Sequence, residues 1–330
     1  YYNKPYNPIY EVNDGDVLIS WSASLGVYKW NKGKALLNQH IFKVIFDKLH
    51  VDKDYFIYAV RFLLNTIEKE THGSTMKHIT KSRFDNLQFP LPPFDNQIKI
   101  AKILNVISEL IILRKQQLAE LDNLIKSVFY DMFGDPLTNE KGWKARKLGD
   151  LATLMSGGTP SRAHPEYFTG NIPWITTVSL GKTFIDARDA VEFINETAIK
   201  NSATKLIKEN SLLFGVRVGV GKISINQVPM CTNQDIVAIV DVDQNILNLV
   251  YLVYTIKNYA DYFDKQKRGA TIQGIKSETL KSIAIPIPPM ELQTKFSLIV
   301  TKIEDQKALV QKALDETQFL FDSLMSEYFD

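Results

Sequence analysis

The clearest pattern of hydrophobic and polar positions in the chain is a pair of stripes at helical spacing. From Ile100 to Met132, steps of four and three residues meet nine apolar side chains in ten positions. The same steps from Phe296 to Tyr328 meet eight apolar side chains in ten. A period of about 3.5 residues is typical of a coiled-coil seam, so the pattern predicts two long helices that pair with each other. The residues predicted to form this pairing are Ile100, Leu104, Ile107, Ile111, Leu118, Leu121, Ile125, Phe296, Val300, Ile303, Val310, Leu314, Phe321 and Leu324.

Polar residues at the start and in the middle of these stripes refine the prediction. Asp95 or Asn96 is placed to cap the first helix, because a side-chain oxygen there accepts hydrogen bonds from free backbone amides. Arg114 and Lys307 interrupt the two stripes. Polar residues inside a seam often fix the register of a coiled coil at some cost in stability, and we expect that role here.

The rest of the chain also repeats itself. At an offset of 195 residues Asn38 and Gln39 match Asn233 and Gln234, and after a one-residue loop insertion the offset becomes 196. This repeat is too long for a solenoid and indicates a duplicated module, a globular domain followed by a long helix. Other matched pairs are Gly26 and Gly221, Tyr55 and Tyr251, Tyr58 and Tyr254, Pro90 and Pro286, and Gln97 and Gln293.

Both modules show the same predicted order of elements. Short apolar runs bounded by Gly, Asn and Asp predict strands, and apolar residues at helical spacing then predict one helix. The predicted strands include 17–19, 41–44, 211–214 and 236–240, and the predicted helices are 53–68 and 245–263.

The position at which the second module starts indicates how much of the first module is present in this chain. The second module begins near Gly142 and Trp143, and at an offset of 196 residues the counterpart of Trp143 would fall about 54 residues before Tyr1. We therefore expect the first globular domain to lack its N-terminal part in this chain.

Composition excludes several classes of protein. Lysines and arginines total 39 against 37 aspartates and glutamates, so the chain is not uniformly basic and a nucleic-acid surface must be regional. Cys231 is the only cysteine, which excludes an internal disulfide and a cysteine-rich zinc site and favours the cytoplasm. No apolar run reaches the roughly 18 residues that span a bilayer.

Patterns that suggest catalysis do not withstand inspection. The tetrad from Leu91 to Phe94 lacks the polar first residue with which an amino-methyltransferase binds its target amine, and a rigid exit into a helix explains its two prolines. The glycines of 215–222 resemble a phosphate loop, but Ile223 stands where a Ser or Thr should bind magnesium. The five histidines lack zinc-binding spacing. We predict no catalytic residue and no metal ligand.

A series of short motifs points to a protein family. The motifs are residues 143–150, 157–161, 170–174, 233–234 and 268–271, together with the two Pro-x-Pro-Pro exits at Pro90 and Pro286. With the duplication, they make the chain similar to the DNA-specificity (S) subunit of Type I restriction-modification systems. The resemblance spans the whole chain, although the first module lacks counterparts of Trp143 and of 157–161.

The resemblance implies a mixed α/β (α+β) fold of two target-recognition domains of duplicated origin. Each domain is followed by a long helix, and the two helices pair as an antiparallel coiled coil with pseudo-two-fold symmetry. The expected domains are 1–94, incomplete at its N-terminus, and 143–290, with helices at 95–134 and 291–330 and a linker at 135–142.

The resemblance also implies a function. Each domain would read one half of a bipartite double-stranded DNA target, and the helices would dock two DNA adenine methyltransferase (modification) subunits. Restriction subunits, which are the motor and nuclease, would join this complex. The resemblance implies no cofactor in this chain, because S-adenosylmethionine, ATP and magnesium belong to the partner subunits.

The duplication provides a rule for sorting DNA contacts. If the two domains read different half-sites, identical matched residues belong to the scaffold or to phosphate contacts, and polar residues that differ are candidate base readers. Arginine suits guanine edges and glutamine suits adenine edges. The candidate DNA-backbone contacts are Lys69, His72, Gly73, Thr75, Lys265, Arg268, Gly269 and Thr271. The candidate base readers are Ser22, Ser24, Lys77, His78, Arg217, Gln273 and Lys276.

Less specific interpretations remain open. A helix end with solvated charges also explains Lys69 and Lys265, and an ordinary surface position explains Arg217. The shared Asn233 and Gln234 are expected to bind the backbone of their own domain. For the whole chain, the alternatives are a coiled-coil adaptor that binds only protein and a self-contained DNA methyltransferase or restriction polypeptide.

Overall fold

The chain folds into two compact units, each with one globular module and part of both long helices. The first unit comprises Tyr1–Leu118 and Leu309–Asp330, and the second comprises Ala119–Ala308. The structure is a computed structural model that describes residues 6–21, 25–70, 84, 86–267 and 274–330, without the side chains of 68–70.

In both modules short strands precede a helix, and each module ends in a long helix. The helices are α1 Lys53–Glu70, α2 Phe94–Phe133, α3 Glu196–Lys200, α4 Leu249–Lys257, α5 Ala260–Gln266, α6 Ser277–Lys281 and α7 Met290–Phe329. The strands are β1 Glu11–Val12, β2 Val17–Ser20, β3 Gly26–Lys29, β4 Ala35–Leu36, β5 Ile41–Lys43, β6 Ala145–Lys147, β7 Thr153–Ser156, β8 Ile172–Ile175, β9 Phe184–Ile185, β10 Glu192–Ile194, β11 Leu212–Gly215, β12 Ile223–Asn226, β13 Cys231–Thr232, β14 Ile236–Val240 and β15 Ala284–Pro286. None of the described helices is long and apolar enough to cross a membrane.

The globular part of the first unit is an antiparallel sheet packed on α1. β2 lies between β3 and β5, and β1 pairs with β4 in a separate ribbon. Val17 and Ile19 of β2 are buried against Ile57, Val60 and Leu64 of α1. The i, i+3, i+7 spacing of these α1 residues gives the helix one continuous apolar face.

The second unit contains a larger mixed sheet. Its strand order is β7-β14-β11-β12-β9, antiparallel except for the parallel pair of β12 with β9. α4 packs on this sheet and is buried from Leu249 to Ile256, because apolar residues occupy most of its surface. A three-stranded sheet, β10-β8-β13, and the ribbon of β15 with β6 also belong to this unit.

The strand registers show the duplication directly. Ile19 is opposite Phe42 in the first unit, and at the offset of 195 Phe214 is opposite Val237 in the second. The hairpin after these strands differs, because Ser20 faces Gly26 whereas the matched Gly215 bonds Lys222. The second hairpin is therefore one residue longer than the first. The sequence comparison matched Gly26 with Gly221, but the structure places Gly26 at the position of Lys222.

The predicted helix 245–263 is two helices, and the prediction of one continuous helix is wrong. α4 starts only at Leu249, because the Asn248 side chain accepts hydrogen bonds from the amides of Val250 and Tyr251. It ends at Lys257, where the Asn258 amide group donates to the Tyr254 carbonyl at 2.8 Å. Local side-chain to backbone bonds thus compete with the helical pattern at both ends.

The long helices pair along their apolar stripes within each unit. In the first unit the seam consists of Ile107, Ile111 and Leu314, with Leu118, Phe321 and Leu324 packed against it, and Ile100 and Leu104 lie in the adjoining cluster with Met325 and Phe329. In the second unit Leu121, Ile125, Phe129 and Phe133 share one core with Phe296, Val300 and Ile303. In the first unit the start of α2 meets the end of α7. In the second unit the end of α2 meets the start of α7, so the pairing is antiparallel. Val310 is half-buried and lies outside these clusters.

Both polar residues of the seam bind across it. The Arg114 guanidinium donates to the Ala313 carbonyl. Lys307 Nζ lies 2.6 Å from Asp122 Oδ1 on the facing helix and 3.2 Å from Glu304 Oε1 on its own helix. Burial acts to lower the pKa of Lys307, but the bonds and charges of the two carboxylates outweigh it and raise the pKa.

The start of α2 lies earlier than its predicted cap. The Asn96 and Gln97 amides donate to the Pro93 carbonyl at 2.8 and 3.1 Å, so the helix begins at Phe94. Asp95 therefore lies in the first turn and favours the helix through the dipole rather than as a cap, which corrects the sequence prediction.

A buried glutamine joins each globular fold to its long helix. Gln97 donates to the Pro92 carbonyl at 2.8 Å and accepts from the Asp52 amide at 3.0 Å. The matched Gln293 donates to the Pro288 carbonyl at 2.8 Å and accepts from the Asn248 amide at 2.9 Å. The shared glutamines are thus structural, since they satisfy backbone groups at the Pro-Pro exits.

A matched pair of tyrosines fixes the same exits. Tyr55 donates to the Pro90 carbonyl at 2.7 Å, and Tyr251 donates to the Pro286 carbonyl at 2.9 Å. Both tyrosine rings are fully buried. The exits are therefore held by the same bonds in both units.

Candidate nucleic-acid interface

Three of the predicted DNA-contacting side chains lie among the described residues. Arg217, Lys265 and Lys276 are all exposed, and all belong to the second unit. Lys69 lies in α1, with only its backbone described. The other candidates lie outside the described residues, and they are Ser22, Ser24, His72, Gly73, Thr75, Lys77, His78, Arg268, Gly269, Thr271 and Gln273.

The fold brings Arg217 next to the segment that leads to Lys276. The Ile275 amide donates to the Val216 carbonyl at 2.8 Å. A Cβ atom on Gly274 would lie 2.7 Å from the Val216 carbonyl oxygen and 3.1 Å from Arg217 Cγ, so this close approach requires glycine. The two segments that differ between the modules therefore meet on one surface.

Asp235 fixes the base of the same surface. The Val216 amide donates to the Asp235 carbonyl at 2.8 Å, and the Asp235 carboxylate lies 3.7 Å from Arg217 Nη1. Half of the Arg217 side chain remains exposed, at 50%. Asp235 thus attracts the guanidinium by its charge, and within the described residues the Arg217 donors make no hydrogen bond.

The shared asparagines bind the backbone of their own domain, as expected from the sequence, whereas the shared glutamines bind side chains. Asn233 accepts from the Asp235 amide at 3.2 Å and donates to the Asp235 carboxylate at 3.1 Å. In the first unit Asn38 accepts from the His40 amide at 2.8 Å in the same kind of turn. The Gln234 side chain accepts from the Thr159 hydroxyl, which ties the 157–161 motif to this turn.

The glycines of the 157–161 motif allow this contact. A Cβ on Gly157 would collide with the Asn233 carbonyl oxygen, and one on Gly158 would collide with the backbone of Ala203. Trp174 Nε1 donates to the Gly158 carbonyl at 3.2 Å, which links the motif to β8. The 157–161 and 233–234 motifs, both quoted for the family resemblance, therefore pack on each other.

Arg162 is a residue that the sequence reasoning missed. Its guanidinium lies 4.2 Å from the Phe168 ring centroid and binds both Glu192 carboxylate oxygens, at 2.7 and 2.6 Å. This bond lowers the pKa of Glu192. The only signal in the sequence was a basic residue next to the 157–161 motif. In the structure Arg162 binds Glu192 of β10 and so stabilises the β10-β8 sheet near that motif.

The first unit builds the corresponding loop with different side chains. The Trp21 amide donates to the His40 carbonyl at 3.3 Å, which matches the bond of Val216 to Asp235. The Trp21 ring stacks on Phe42 at a centroid distance of 5.7 Å and contacts the His40 ring at 5.8 Å. An aromatic cluster therefore stands at the positions that match Val216, Asp235 and Val237, and Ser22, the match of Arg217, lies outside the described residues.

Lys265 and Lys276 each lie at the end of a short helix. Lys265 lies in the last turn of α5, where the helix dipole favours a cation. Lys276 immediately precedes α6, and its side chain does not cap that helix. Their positions fit a phosphate contact and a solvated helix end equally well.

Groups that suggest catalysis are inert in the described part of the chain. Burial raises the pKa of the Cys231 thiol to about 11, so the thiol stays protonated at neutral pH. No cluster of three or more His, Cys, Asp or Glu side chains among the described residues is placed to hold a metal ion.

A family model matches both modules of the chain. The model describes the Type I restriction modification DNA specificity domain, and the matched residues are 2–123 and 140–317. The match therefore includes the surface around Arg217 and both Pro-Pro exits.

Relatives of known role share part of the chain. It is 28% identical over 258 residues to the Type I restriction enzyme EcoR124I/EcoR124II specificity subunit of Escherichia coli, which covers 74% of the chain and 62% of that subunit. It is 21% identical over 332 residues to the MjaVIII specificity subunit of Methanocaldococcus jannaschii, covering 93% of the chain and 76% of that subunit. With the MjaIX specificity subunit of the same organism, identity is 29% over 166 residues, 50% of the chain and 38% of that subunit.

Solved structures share the fold. The crystal structure of a Type-I restriction-modification system S subunit from M. genitalium superposes with a TM-score of 0.57 at 15% identity, covering 96% of this chain and 83% of that one. A chain from a structural study of complex assembly in the type I R-M system gives a TM-score of 0.59 at 17% identity, covering 96% and 82%. At these identities the likeness concerns the fold alone.

Proposed function

The chain belongs to the Type I restriction modification DNA specificity family, and from this membership we propose that it is the specificity subunit of a Type I restriction-modification complex. Its role is to read a bipartite sequence in double-stranded DNA, one half with each unit. It performs no catalysis, and it holds in place the subunits that do.

The observation that carries this proposal is a duplicated backbone with divergent loop side chains. Both units make the same bond after the central strand, from Trp21 to His40 and from Val216 to Asp235. At the matched positions the first loop bears the aromatic residues Trp21, His40 and Phe42, whereas the second bears Val216, Asp235 and Val237. Two half-sites of different sequence require a common scaffold with different readers, and this arrangement supplies both.

In the second unit we assign base reading to the surface around Arg217. Arginine binds guanine O6 and N7 with two parallel hydrogen bonds, and Asp235 already orients its guanidinium. We also assign base reading to Lys276 and Gln273, and phosphate contacts to Lys265, Arg268, Gly269 and Thr271.

In the first unit the assignment rests on the matched sequence positions. Base reading falls to Ser22, Ser24, Lys77 and His78, and phosphate contacts fall to Lys69, His72, Gly73 and Thr75.

The partners follow from the same role. The chain docks two DNA adenine methyltransferase subunits, and restriction subunits join the complex. S-adenosylmethionine, ATP and magnesium belong to those subunits, so this chain needs no cofactor. We place the complex in the cytoplasm, where its DNA lies and where the lone Cys231 stays reduced.

The test is a map of adenine methylation in a methylation-free host. The host expresses this chain with the methyltransferase subunit of the same system, and a control host expresses the methyltransferase alone. We expect a split motif that appears only when this chain is present. A contiguous motif, or the same motif in the control host, would contradict the proposal.

The alternatives give different results in the same experiment. A protein-only adaptor gives a stable complex with the methyltransferase but no motif that depends on this chain. A self-contained methyltransferase gives methylation when this chain is expressed alone, and the isolated chain then binds S-adenosylmethionine.

A further inference from the structure

A basic side chain stacks on a tyrosine at the same position of both modules. Arg61 Cζ lies 5.4 Å from the centroid of the Tyr58 ring, and Lys257 Nζ lies 4.6 Å from the centroid of the Tyr254 ring. The offset of 196 relates both members of one pair to both members of the other. Arginine and lysine share only their positive charge and long stem, so the charge above the ring is the retained feature.

Neither cation forms an ion pair with a described carboxylate. Within the part of the chain that the structure describes, Arg61 and Lys257 form no ion pair and donate no hydrogen bond. Both side chains are partly buried. Burial lowers the pKa of Lys257 because it removes water from the ammonium, and the charges of Glu304 and Asp122 oppose this effect without offsetting it. A partly buried cation whose burial is not offset costs free energy, which an incoming anion would recover.

Each cation also faces an open cavity. Lys257 lines a cavity of about 420 Å³, and Arg61 lines one of about 280 Å³. The neighbouring wall positions match as well, because Ala260 and Asp261 of the second cavity correspond to Leu64 and Asn65 of the first. Each cavity is large enough to admit one side chain from a partner.

The tyrosine under each cation is bonded to a long helix. Tyr58 donates to Asn105 Oδ1 of α2 at 2.8 Å. The Tyr254 hydroxyl lies 3.4 Å from Glu304 Oε1 of α7 and 3.0 Å from the Thr183 hydroxyl. The two cations are therefore held where each globular fold meets a helix.

We propose that Arg61 and Lys257 are matched anchors, each of which binds a carboxylate side chain of one methyltransferase copy. This rests on the proposed function, in which the partner binds twice, as the duplicated feature requires. A carboxylate fits both the bidentate arginine and the lysine ammonium. A DNA phosphate is the rival occupant, but both cations lie beside the long helices, where the proposed function docks the methyltransferase, and Arg217 does not line either cavity.

The experiment measures binding of the purified methyltransferase subunit to the full chain by titration calorimetry. Lys257→Met and Arg61→Met remove one charge each while keeping the length of the side chain. Each variant is expected to weaken one of the two binding events by about tenfold or more, and the double variant to weaken both. Lys257→Arg is expected to bind as tightly as the unaltered chain, since arginine occupies the matched position.

Controls separate this proposal from its rivals. Lys208→Met, at an exposed lysine of the second unit, should leave both binding events unchanged. Equal affinity of Lys257→Met and Arg61→Met with the unaltered chain would overturn the proposal. So would weaker DNA binding with a smaller salt dependence and unchanged methyltransferase binding, which would assign the cations to phosphates.

The methylation map distinguishes a failure of the anchor proposal from a failure of the proposed function. If a split motif depends on this chain but the variants bind the methyltransferase normally, only the anchor proposal fails. If no motif depends on the chain, the proposed function fails first.

Discussion

The loop after the central strand of each unit has one backbone and two chemistries. In the first unit Trp21 stacks on Phe42, whereas the matched positions of the second unit hold Val216 and Val237, with Arg217 beside Asp235. The bond that closes the loop is shared, from Trp21 to His40 and, at the matched positions, from Val216 to Asp235. Duplication thus preserved the bonds that shape the fold and left the outward side chains free to diverge, which is the condition for reading two different half-sites.

The Pro-Pro exits of the two units show the opposite behaviour. Tyr55 and Tyr251, like Gln97 and Gln293, make corresponding bonds to corresponding carbonyl groups. These residues hold a globular fold on its helix, and no difference in DNA sequence bears on that task. A comparison of the two units within one chain therefore separates scaffold from readers without any other sequence.

The largest difference between the units is expected in the cores around the helices. Phe296 is fully buried and meets the rings of Phe129, Phe133 and Tyr254, each at 5.5 Å, whereas the matched Ile100 is only partly buried. We expect Phe296→Ala to cost about 4 kcal/mol and Ile100→Ala about 2 kcal/mol. Native-state hydrogen exchange, read separately for each unit, measures both values. Equal costs would show that the two cores are packed alike.

The next largest effect is expected at the two glutamines that bind the Pro-Pro exits. Gln293 makes a third hydrogen bond, to the Ile246 carbonyl at 3.0 Å, which Gln97 does not match among the described residues. We expect Gln293→Ala to destabilise its unit by about 3 kcal/mol and Gln97→Ala by about 2 kcal/mol, because each variant leaves buried backbone groups unpaired. The same exchange measurement checks this order, and a larger loss at Gln97 would contradict it.

A smaller effect is expected on DNA reading. Arg217→Ala should cost about 2 kcal/mol of discrimination at one base pair of one half-site, because a bidentate guanine contact is lost. Methylation maps of the variant measure it as a relaxed position in the motif. Arg188→Ala is the matched control, since Arg188 is 90% exposed and bonded to Asp186 of its own turn. A relaxed motif in the control, or an intact one in Arg217→Ala, would refute the assignment.

The smallest effect is a pH dependence confined to the second unit. Hydrogen bonds from Arg162 lower the pKa of Glu192, so the pair stabilises the fold fully above the unfolded value of about 4.3. That stability is lost as the pH falls through the lower folded value. The Arg162 side chain is 58% exposed and the Glu192 side chain 32%, so solvent screens the pair and we expect only about 0.5 kcal/mol. Glu192→Gln should lower Tm at neutral pH but not near pH 3; an equal loss at both pH values would contradict this account.

The sequence predicted what depends on local periodicity and on the repeat. The seam residues from Ile100 to Leu324 and the helix over 53–68 follow from spacing alone, since a stripe fixes the buried face of a helix. The matched offset also identified the buried tyrosines and glutamines. Two errors, at Asp95 and around Asn248, arose where a side chain and a helix end compete for the same backbone groups.

The surface around Arg217 was not predictable in the same way. Its proximity to Gly274 depends on a bond between Ile275 and Val216, segments that no periodicity connects. The role of Asp235 as the orienting carboxylate and the stacking of Arg162 on Phe168 likewise arise only from tertiary packing. Residue type suggested which chemistry was possible, and only the fold showed which residues meet.

The central claim is that the two units read different halves of one sequence. The most direct test maps adenine methylation for Arg217→Ala and for the double variant Ser22→Ala with Ser24→Ala, whose first position matches Arg217 in the repeat. We expect each variant to relax bases in a different half of one split motif. If both variants alter the same half, or if the motif is contiguous, the two units do not divide the target between them.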